Sequence, residues 1–407
     1  MVKYQMEVQN DNGNSQHKII VDGTLLKHPN VYTVLHSIPG ETDGDLQTAV
    51  VNLHKNIDVR IESKAIGGDS RRYLIGDAAL ESVVGSDLYN MDVTNVQKHK
   101  EKLPIVNTLG IIAVMAVKKH FQQIGSLTDA ETIEVQVDMI TALPASIHTV
   151  KTEKEFSEKF LNGVHEVKVY VKNLTINVQI RFESVQTLRE GVPAMFAIIE
   201  DGKGNYRNDD LFKRFKEEYK LEKVDGSYLL EKRILHCDIG DGSTELIFTQ
   251  GYSADPLKSS GEKFGLGQAI EKASVNMSEE EGMEITRQQY SKFLKGEGKQ
   301  RLVKAAKEHL NAAKSEVVER LYDVITKKAK VLKYEFDVLV VYGGASILLE
   351  DSLYPKFKDF CDKNEMELLW APPEFATEMN VQGMQIYQEI IKEQADEEIA
   401  ASEDSEK

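Results

Sequence analysis

The sequence predicts an α/β protein of two or three domains. Its 407 residues exceed the length of one ordinary domain. Three β-like segments each end at a glycine-rich turn, at residues 11–16, 238–244 and 343–346. A long amphipathic stretch, residues 300–333, leads into a near-continuous apolar run at 336–341. Such a run is typical of a strand buried on both faces, so helices are expected to cover part of the sheet.

The composition indicates a soluble cytoplasmic protein. Hydrophobic residues make up 41% and charged residues 29%, which is ordinary for a globular chain. The net charge of -16 should repel bare DNA and anionic membranes, so any action on DNA would need a basic adaptor. The two cysteines, Cys237 and Cys361, supply neither a disulfide framework nor a zinc ligand set. The N-terminus has no apolar run of signal-peptide length, and no stretch approaches the roughly 18 apolar residues of a membrane span.

The remaining elements follow from periodicity and turn residues. Residues 4–8 and 17–21 are predicted to be strands on either side of the first turn, and residues 167–171 and 176–180 to form a second hairpin. Residues 104–120 are apolar at helical spacing and predict a buried helix, and further helices are predicted at 194–199, 265–275 and 379–391. The charged stretch 200–232 is expected to be a mobile insertion. Residues 393–407 are acidic and predict a disordered tail.

The first two glycine-rich turns suit phosphate binding. A tight turn with glycine at its tip lets backbone N–H groups face an anion without obstruction from side chains. Each turn begins with an aspartate, Asp11 or Asp238, which would repel phosphate directly. A divalent cation must therefore lie between carboxylate and phosphate, and Mg²⁺ is commonly held by one or two carboxylates together with phosphates. Asp11 and Asp238 are thus the predicted metal ligands.

The third turn suits a nucleoside, because glycines after a buried strand allow a flat group to approach the backbone where the next helix begins. Each turn also has an ordinary interpretation. Asp-Asn-Gly alone is a common hairpin turn, and Gly343-Gly344 alone is a weak signal. The order and spacing of the three turns carry the functional interpretation.

This arrangement resembles the actin, Hsp70 and sugar-kinase superfamily, and most of all the ParM-type plasmid-segregation actins. In that superfamily the first two turns are phosphate loops 1 and 2, and the third is the adenosine loop. The similarity spans about residues 4–391. It is carried by Asp11-Asn12-Gly13 with Lys18-Ile19, Asp238-Ile239-Gly240-Asp241-Gly242-Ser243-Thr244, Glu190-Gly191-Val192-Pro193-Ala194, Gly265-Leu266-Gly267 and Asn380-Val381-Gln382-Gly383-Met384.

The resemblance implies an actin-like (ribonuclease H-like) two-lobed ATPase fold with a nucleotide cleft between the lobes. Lobe I would span 1–190 with a small subdomain near 30–80, and lobe II would span 191–375. A C-terminal helix at 376–392 would pack back on lobe I before the tail at 393–407. ATP or GTP would bind with Mg²⁺ through Asn12, Gly13, Asn14, Ser15, Gln16, Lys18, Gly240, Asp241, Gly242, Ser243, Thr244, Gly265, Gly267, Gly343, Gly344, Ala345 and Ser346.

The sequence departs from the family pattern at two places. The second aspartate of phosphate loop 1 is Asn12 here. At residues 143–148, where relatives place a Gln or Glu that positions the attacking water, there is no carboxylate. Ser146 or His148 is a candidate for that role, although His148 also fits an ordinary loop histidine. The missing carboxylate at residues 143–148 affects the expected rate of hydrolysis more than the expected binding of nucleotide.

The function that the resemblance implies is a filament protein driven by nucleoside triphosphate hydrolysis. It would associate with itself and move plasmid DNA through a DNA-binding adaptor on the plasmid centromere, without touching DNA or membrane. An Hsp70-like chaperone is disfavoured, because little chain follows Met384. A sugar-kinase-like enzyme would need a catalytic carboxylate facing a substrate hydroxyl. A non-catalytic cell-division scaffold would often carry an amphipathic membrane-binding tail, unlike the acidic tail here.

Overall fold

The chain folds into two units, each with its own sheet and its own apolar core. The computed structural model describes residues 2–35, 45–82, 88–91 and 97–405, with side chains described as far as residue 396. The first unit comprises Met1–Leu143 and Ile147–Leu188, and the second comprises Pro144–Ser146 and Arg189–Lys407. The prediction of an α/β chain with two lobes is confirmed.

The first unit is organised by a ten-stranded mixed sheet of order β3-β2-β1-β8-β10-β9-β5-β6-β4-β7. Part of the predicted subdomain near 30–80, residues 36–44, lies outside the described residues; the described strands of that region join the same sheet. The elements are β1 Val2–Asn12, β2 Gln16–Val21, β3 Thr24–Pro29, β4 Val31–Leu35, α1 Leu46–Val51, β5 Ile57–Glu62, β6 Arg71–Ile75, α2 Asp77–Glu81, β7 Tyr89–Asn90, α3 Leu103–Ile124, β8 Thr132–Leu143, α4 Val150–Leu161, β9 His165–Val171 and β10 Leu174–Arg189.

Both hairpins predicted for the first unit are confirmed. Strands β1 and β2 pair antiparallel with Asp11 opposite Lys18, and β9 and β10 pair antiparallel around the turn that follows Val171. Strand β1 also pairs in parallel with β8. The ends of β1 and β8 therefore lie at the same edge of the sheet, which places the first glycine turn there.

Helix α3 is the buried helix that the apolar spacing predicts. Residues such as Ile105, Leu109 and Ile112 are fully buried in the first core. By length and composition α3 could also cross a membrane, contrary to the expectation that no stretch would qualify. Because 83% of its apolar window is buried within the protein, its setting is that of a core helix.

The second unit has a five-stranded sheet of order β13-β12-β11-β14-β15 with helices on both faces. Strand β14 pairs in parallel with β11 and β15. The elements are α5 Val192–Ile199, α6 Lys213–Tyr219, α7 Gly226–Leu230, β11 Arg233–Ile239, β12 Thr244–Gln250, β13 Ser253–Glu262, α8 Gly267–Glu281, α9 Arg287–Leu294, α10 Gln300–Ala313, α11 Ser315–Val331, β14 Val338–Tyr342, α12 Gly344–Lys363, β15 Glu367–Trp370, α13 Pro373–Ala376 and α14 Met379–Ser405.

Strand β14 confirms the strand that the apolar run predicts, buried on both faces. Leu339 and Val341 pack with α8–α12, whereas Val338 and Val340 pack with α5, α6 and α14. Every residue of β14 is therefore removed from water, and no alternation of polar residues is required. Cys237 and Cys361 are both fully buried in the core on the α8–α12 side, where burial raises the pKa of each thiol and favours the protonated form.

The charged stretch 200–232 is ordered, so the prediction of a mobile insertion is wrong. It contains α6 and α7, and Leu211, Phe212, Phe215 and Leu229 are buried in the same core as α5. Charged residues outnumber the apolar ones here, but the apolar ones recur at helical spacing. Their burial outweighs the cost of ordering the segment.

Two helices differ in extent from the prediction. The amphipathic stretch 300–333 divides at Lys314 into α10 and α11. Helix α14 continues through the predicted disordered tail to Ser405, and residues 406–407 lie outside the described part. Glu, Ala, Gln and Lys are strong helix formers, which accounts for the continuation. Among the described residues, α14 packs mainly on α5 of the second unit, and its packing on lobe I stays a prediction.

Candidate functional site

Phosphate loop 1, residues 11–16, is a tight turn between β1 and β2. The Gly13 amide donates to the Asp11 carbonyl at 3.1 Å, and a Cβ on Gly13 would lie 2.9 Å from the Gln16 carbonyl. The Lys18 ammonium lies 2.6 Å from Asp11 Oδ2, and the two side chains are only 16% and 5% exposed. The loop therefore presents a charge-balanced pair beside backbone N–H groups.

A set of asparagine side chains supports this loop from inside the first unit. Asn30 Nδ2 donates to Asn12 Oδ1 at 2.8 Å and to the Gly13 carbonyl at 2.6 Å, and its backbone amide donates to the Ser15 carbonyl at 3.0 Å. Asn107 Nδ2 in turn donates to Asn30 Oδ1 at 2.8 Å. The Asn12 side chain thus takes part in an interior contact, and the residue is fully buried. Asn14 is half-buried and Ser15 is exposed at the turn.

Phosphate loop 2, residues 238–244, joins β11 to β12 and is braced by the segment before α8. The Gly240 amide donates to the Ser243 carbonyl at 2.9 Å. The Gly267 amide donates to the Asp241 carbonyl at 2.7 Å, and a Cβ on Gly265 would overlap the Gly240 carbonyl. Gly265 and Gly267, which the sequence predicts to be site residues, thus contact the loop backbone directly.

Side chains also fix the middle and the end of loop 2. Asp241 Oδ2 accepts a hydrogen bond from Arg287 Nη2 at 2.5 Å. Thr244 Oγ1 donates to the Phe264 carbonyl at 2.9 Å. Arg287 begins α9 and was missed by sequence reasoning, since nothing local to it marks a contact with a loop 46 residues away. Gly242 and Ser243 are left at the tip of the turn.

Asp238 ends β11 and lies in a crowded backbone environment. Its side-chain Oδ2 accepts a hydrogen bond from Asn380 Nδ2 at 2.7 Å, and the residue is 9% exposed. Gly343, at the end of β14, has φ of +94°. A Cβ there would overlap Asp238 Oδ1 and the Ile239 backbone, so only glycine fits this position. The structure thereby brings loop 2 and the predicted adenosine loop together.

The predicted adenosine loop, residues 343–346, starts α12, and an open cavity of about 590 Å³ lies further along that helix. Ser346 Oγ donates to the Gly343 carbonyl at 2.8 Å, and Ala345 and Ser346 are buried beneath the first turn of the helix. One turn further, Ile347 and Leu348 line the cavity, facing Leu310, Asn311 and Lys314 from the end of α10. Half of the lining residues are charged or polar, namely Arg214, Lys307, Asn311, Lys314, Glu350 and Asp351.

Glu245 is a functional candidate that the sequence reasoning missed. It follows Thr244 on β12 and is 2% exposed. Its Oε2 accepts a hydrogen bond from the Ala145 amide at 3.0 Å, and its Oε1 makes no hydrogen bond of good geometry with any described residue. Burial raises the pKa of the Glu245 carboxyl well above its usual range, and the charges of Glu190 and Asp238 add to the rise.

The two predicted water-positioning residues have different surroundings. Ser146 belongs to the second unit, next to Ala145, and its buried hydroxyl has no hydrogen-bond partner among the described residues. His148 belongs to the first unit, where its Nε2 lies 3.2 Å from the Thr187 carbonyl and 3.7 Å from Glu153. The surroundings of His148 fit the ordinary loop histidine.

The charges around Asp238 fit a divalent cation that is bound partly by protein carboxylates and partly by the phosphates of a ligand. In the described parts of the chain, no group of three His, Cys, Asp or Glu side chains forms a cage for a metal ion. Asp238 and Glu190 nevertheless place negative charge near loop 2, and these charges add to the rise that burial causes in the pKa of Glu245. Mg²⁺ suits such a site, because it usually binds through one or two carboxylates, waters and phosphates.

The two-lobed fold, with glycine turns at the ends of its sheet strands, is that of the actin-like proteins. A crystal structure of the actin-like protein Alp7A matches 98% of this chain and 100% of its own, at a TM-score of 0.68 and 18% identity. ParM from Bacillus thuringiensis with ADP matches 95% and 99%, at a TM-score of 0.56 and 16% identity. Ta0583, an archaeal actin homolog, matches 94% and 99%, at a TM-score of 0.56 and 15% identity.

At the level of sequence there is no comparable match. No protein-family model matches the chain, and no curated protein matches it. Since the identities to the three solved structures are 18%, 16% and 15%, the structural likeness establishes the fold, and the resemblance to ParM-type actins is confirmed at that level.

Proposed function

We propose that this chain is an actin-like filament protein that binds ATP or GTP with Mg²⁺ and hydrolyses it. The observation that carries the proposal is the surroundings of Asp238, a buried carboxylate packed on Gly343 at the end of β14, with Glu245 nearby. Two solved structures of similar fold support it, since they are of Bacillus thuringiensis ParM with ADP and with ATP.

In this proposal the two phosphate loops have different tasks. The backbone N–H groups of residues 13–16 and the Lys18 ammonium bind phosphate oxygens from the first unit, and residues 240–244 bind them from the second. Asp238, with Asp11, holds Mg²⁺, which when bound offsets the charge of the phosphates. The cavity beside Ile347 and Leu348 accepts the nucleoside, whose base is flat and largely apolar.

Glu245 is proposed to orient the water that attacks the γ-phosphate. The water oxygen forms a bond to the γ-phosphorus while its proton passes to Glu245 Oε1. The bond from phosphorus to the bridging oxygen breaks, and the diphosphate leaves with that electron pair. Burial raises the pKa of the Glu245 carboxyl, which makes its ionised form a stronger base. Ser146, beside Ala145, is proposed to contact the same water, and its buried hydroxyl without a partner among the described residues supports this role.

The proposed biological role is the segregation of plasmid DNA by filaments of this chain. The pCBH ParM structure, a non-polymerisable mutant at a TM-score of 0.58, supports self-association in proteins of this fold. The net charge of -16 disfavours direct contact with DNA, so a DNA-binding adaptor on the plasmid centromere is proposed to link filament and cargo. A cytoplasmic location and the absence of membrane attachment complete the proposal.

Sedimentation and light scattering test the proposal directly. The purified chain should scatter light and pellet with ATP or GTP and Mg²⁺, and it should remain in the supernatant with EDTA. Electron microscopy of the pellet should show filaments. The proposal is excluded if no polymer forms with any nucleotide across a range of salt concentrations. The alternative of a kinase or chaperone of the same fold would then be favoured by nucleotide turnover without polymer.

A further inference from the structure

Asn380, in the first turn of α14, joins Asp238 to the backbone of another segment. Its Nδ2 donates to Asp238 Oδ2 at 2.7 Å, and its Oδ1 accepts from the Gly191 amide at 3.1 Å. Only this orientation of the side-chain amide satisfies both partners, since a carboxylate cannot donate and a backbone N–H cannot accept. Both ends of one rigid planar group are therefore in use, and neither contact can move independently of the other.

Gly191 is held on both sides of its backbone. It has φ of +83° and precedes α5, and it lies just after Arg189, the residue at which the chain re-enters the second unit. Its carbonyl accepts a hydrogen bond from Tyr342 Oη at 3.2 Å, and a Cβ would lie 2.7 Å from a side-chain carbon of Ile247. Its amide, at the start of a helix, has no partner within that helix, and Asn380 supplies one.

Helices α5 and α14 are in contact through their backbones one turn further along. A Cβ on Gly383 would overlap the carbonyl of Pro193, so the helices approach as closely as a glycine allows. Asn380 is thus fixed with respect to the start of α5. A displacement of the Asp238 carboxylate then acts on the amide of Asn380, and through it on the Gly191 N–H.

We propose that Asn380 is a positioning residue. It couples the binding of a cation by Asp238 to the segment at residues 189–191, where the chain passes from the first unit to the second. The inference rests on the proposed function, in which Asp238 binds a nucleotide-associated cation. When Asp238 Oδ2 turns toward that cation, its hydrogen bond from Asn380 weakens, and the Asn380 Oδ1 contact to Gly191 changes with it. The coupling is reciprocal, so restraint of Gly191 also affects cation binding.

Hydrogen–deuterium exchange of the full-length protein tests the coupling, with peptides that cover residues 189–195. The protein is compared in EDTA, with Mg²⁺ alone and with Mg-ADP, a nucleotide that avoids hydrolysis. In the wild type, Mg-ADP should change the exchange rate of the Gly191 amide by about fivefold or more. In Asn380→Ala that amide should exchange quickly in every state and should not respond to Mg-ADP.

Two further variants keep the test informative. Gln382→Ala removes another hydrogen-bonded amide of α14, one that contacts Glu378 and Arg207, and should respond as the wild type does. Asn380→Asp keeps an acceptor for Gly191 but replaces the donor to Asp238 by a carboxyl group. It should protect Gly191 without nucleotide and show no response to Mg-ADP, and it serves as the test if Asn380→Ala does not fold.

The outcomes separate the inference from the proposed function. A wild-type-sized response of Gly191 in Asn380→Ala or Asn380→Asp, with Mg-ADP bound, overturns the coupling and leaves the proposed function standing. If the wild type binds no nucleotide by isothermal titration, the proposed function fails and the coupling fails with it. In both Asn380 variants, Mg²⁺ should increase the affinity for ADP less than it does in the wild type, while the affinity in EDTA is unchanged. That result supports the coupling.

Discussion

The two phosphate loops share a glycine turn after an aspartate, but their surroundings differ in charge. Asp11 in the first unit pairs with Lys18, and neutral asparagine side chains support the turn behind it. In the second unit Arg287 pairs with Asp241, and Asp238 receives a hydrogen bond from Asn380. Burial raises the pKa of the nearby Glu245, and the charges of Glu190 and Asp238 raise it further. The first loop is balanced, whereas the second carries an excess of negative charge.

Under the proposed function, these two similar turns meet phosphate with opposite electrostatics. A balanced loop with a lysine can accept phosphate without further compensation. An acidic loop repels phosphate until a cation binds, so the second unit is where Mg²⁺ dependence is expected to arise. Substitutions on the two sides should therefore have unequal effects.

The largest effect is expected from Asp238→Asn, compared with Asp11→Asn. Asp238→Asn should lower the hydrolysis rate by roughly 100-fold to 1000-fold, because the cation loses its main protein ligand. Asp11→Asn should cost less, because Lys18 remains to bind phosphate. Phosphate release measures both, and circular dichroism checks that each variant folds. Equal losses in the two variants would show that the charge difference has no functional meaning.

Glu245→Gln should separate catalysis from stability. Hydrolysis should fall by roughly 100-fold, since the general base is lost, while nucleotide affinity is retained. The pKa of Glu245 is raised by folding, so ionisation costs stability as the pH rises above the unfolded-state pKa of about 4.3. The variant lacks that cost, and its thermal midpoint at pH 8 should exceed the wild-type value by about 2 °C or more.

A pH series provides the check on this prediction. The difference between the two midpoints should grow from pH 5 to pH 8 and should be small near pH 3, where the wild-type carboxyl is protonated in both states. A variant that is less stable than the wild type at pH 8 would mean that Glu245 is held ionised by a favourable partner.

The smallest effect is expected from Asn30→Ala, which alters the supports of loop 1 and no charge. The variant loses the hydrogen bonds to Asn12 and Gly13 and leaves Asn107 Nδ2 without its acceptor. Nucleotide affinity should fall by roughly tenfold and the free energy of unfolding by about 1–3 kcal/mol. Asn177→Ala, which removes an exposed bond to the Ala130 carbonyl, is the control and should change neither by much.

Local sequence patterns predict the parts of the site that depend on neighbouring residues. Glycines that follow strands mark all three turns, and the apolar run at 336–341 marks the strand that positions Gly343. Each of these signals lies within a few residues of the structure it specifies. For the same reason the α/β class and the two sheet hairpins of the first unit could be predicted.

Contacts between distant residues could not be predicted from one sequence. Glu245 meets the amide of Ala145, 100 positions away, and Asp238 meets Asn380, 142 positions away. The segment 143–148 has no acid of its own, and the acid that meets it, Glu245, belongs to β12. The helical content of 200–232 was missed because the charged residues there masked the burial of a few apolar ones.

The contact between Gly383 and Pro193 bears on how far such a sequence can diverge. Because two backbones touch there, the close approach of α5 and α14 depends on a missing side chain rather than on a matched pair of side chains. Neighbouring positions are then free to exchange one apolar residue for another of suitable volume. Constraints of this kind fix the residue type at few positions. This is consistent with a full-length structural match to Alp7A at 18% identity.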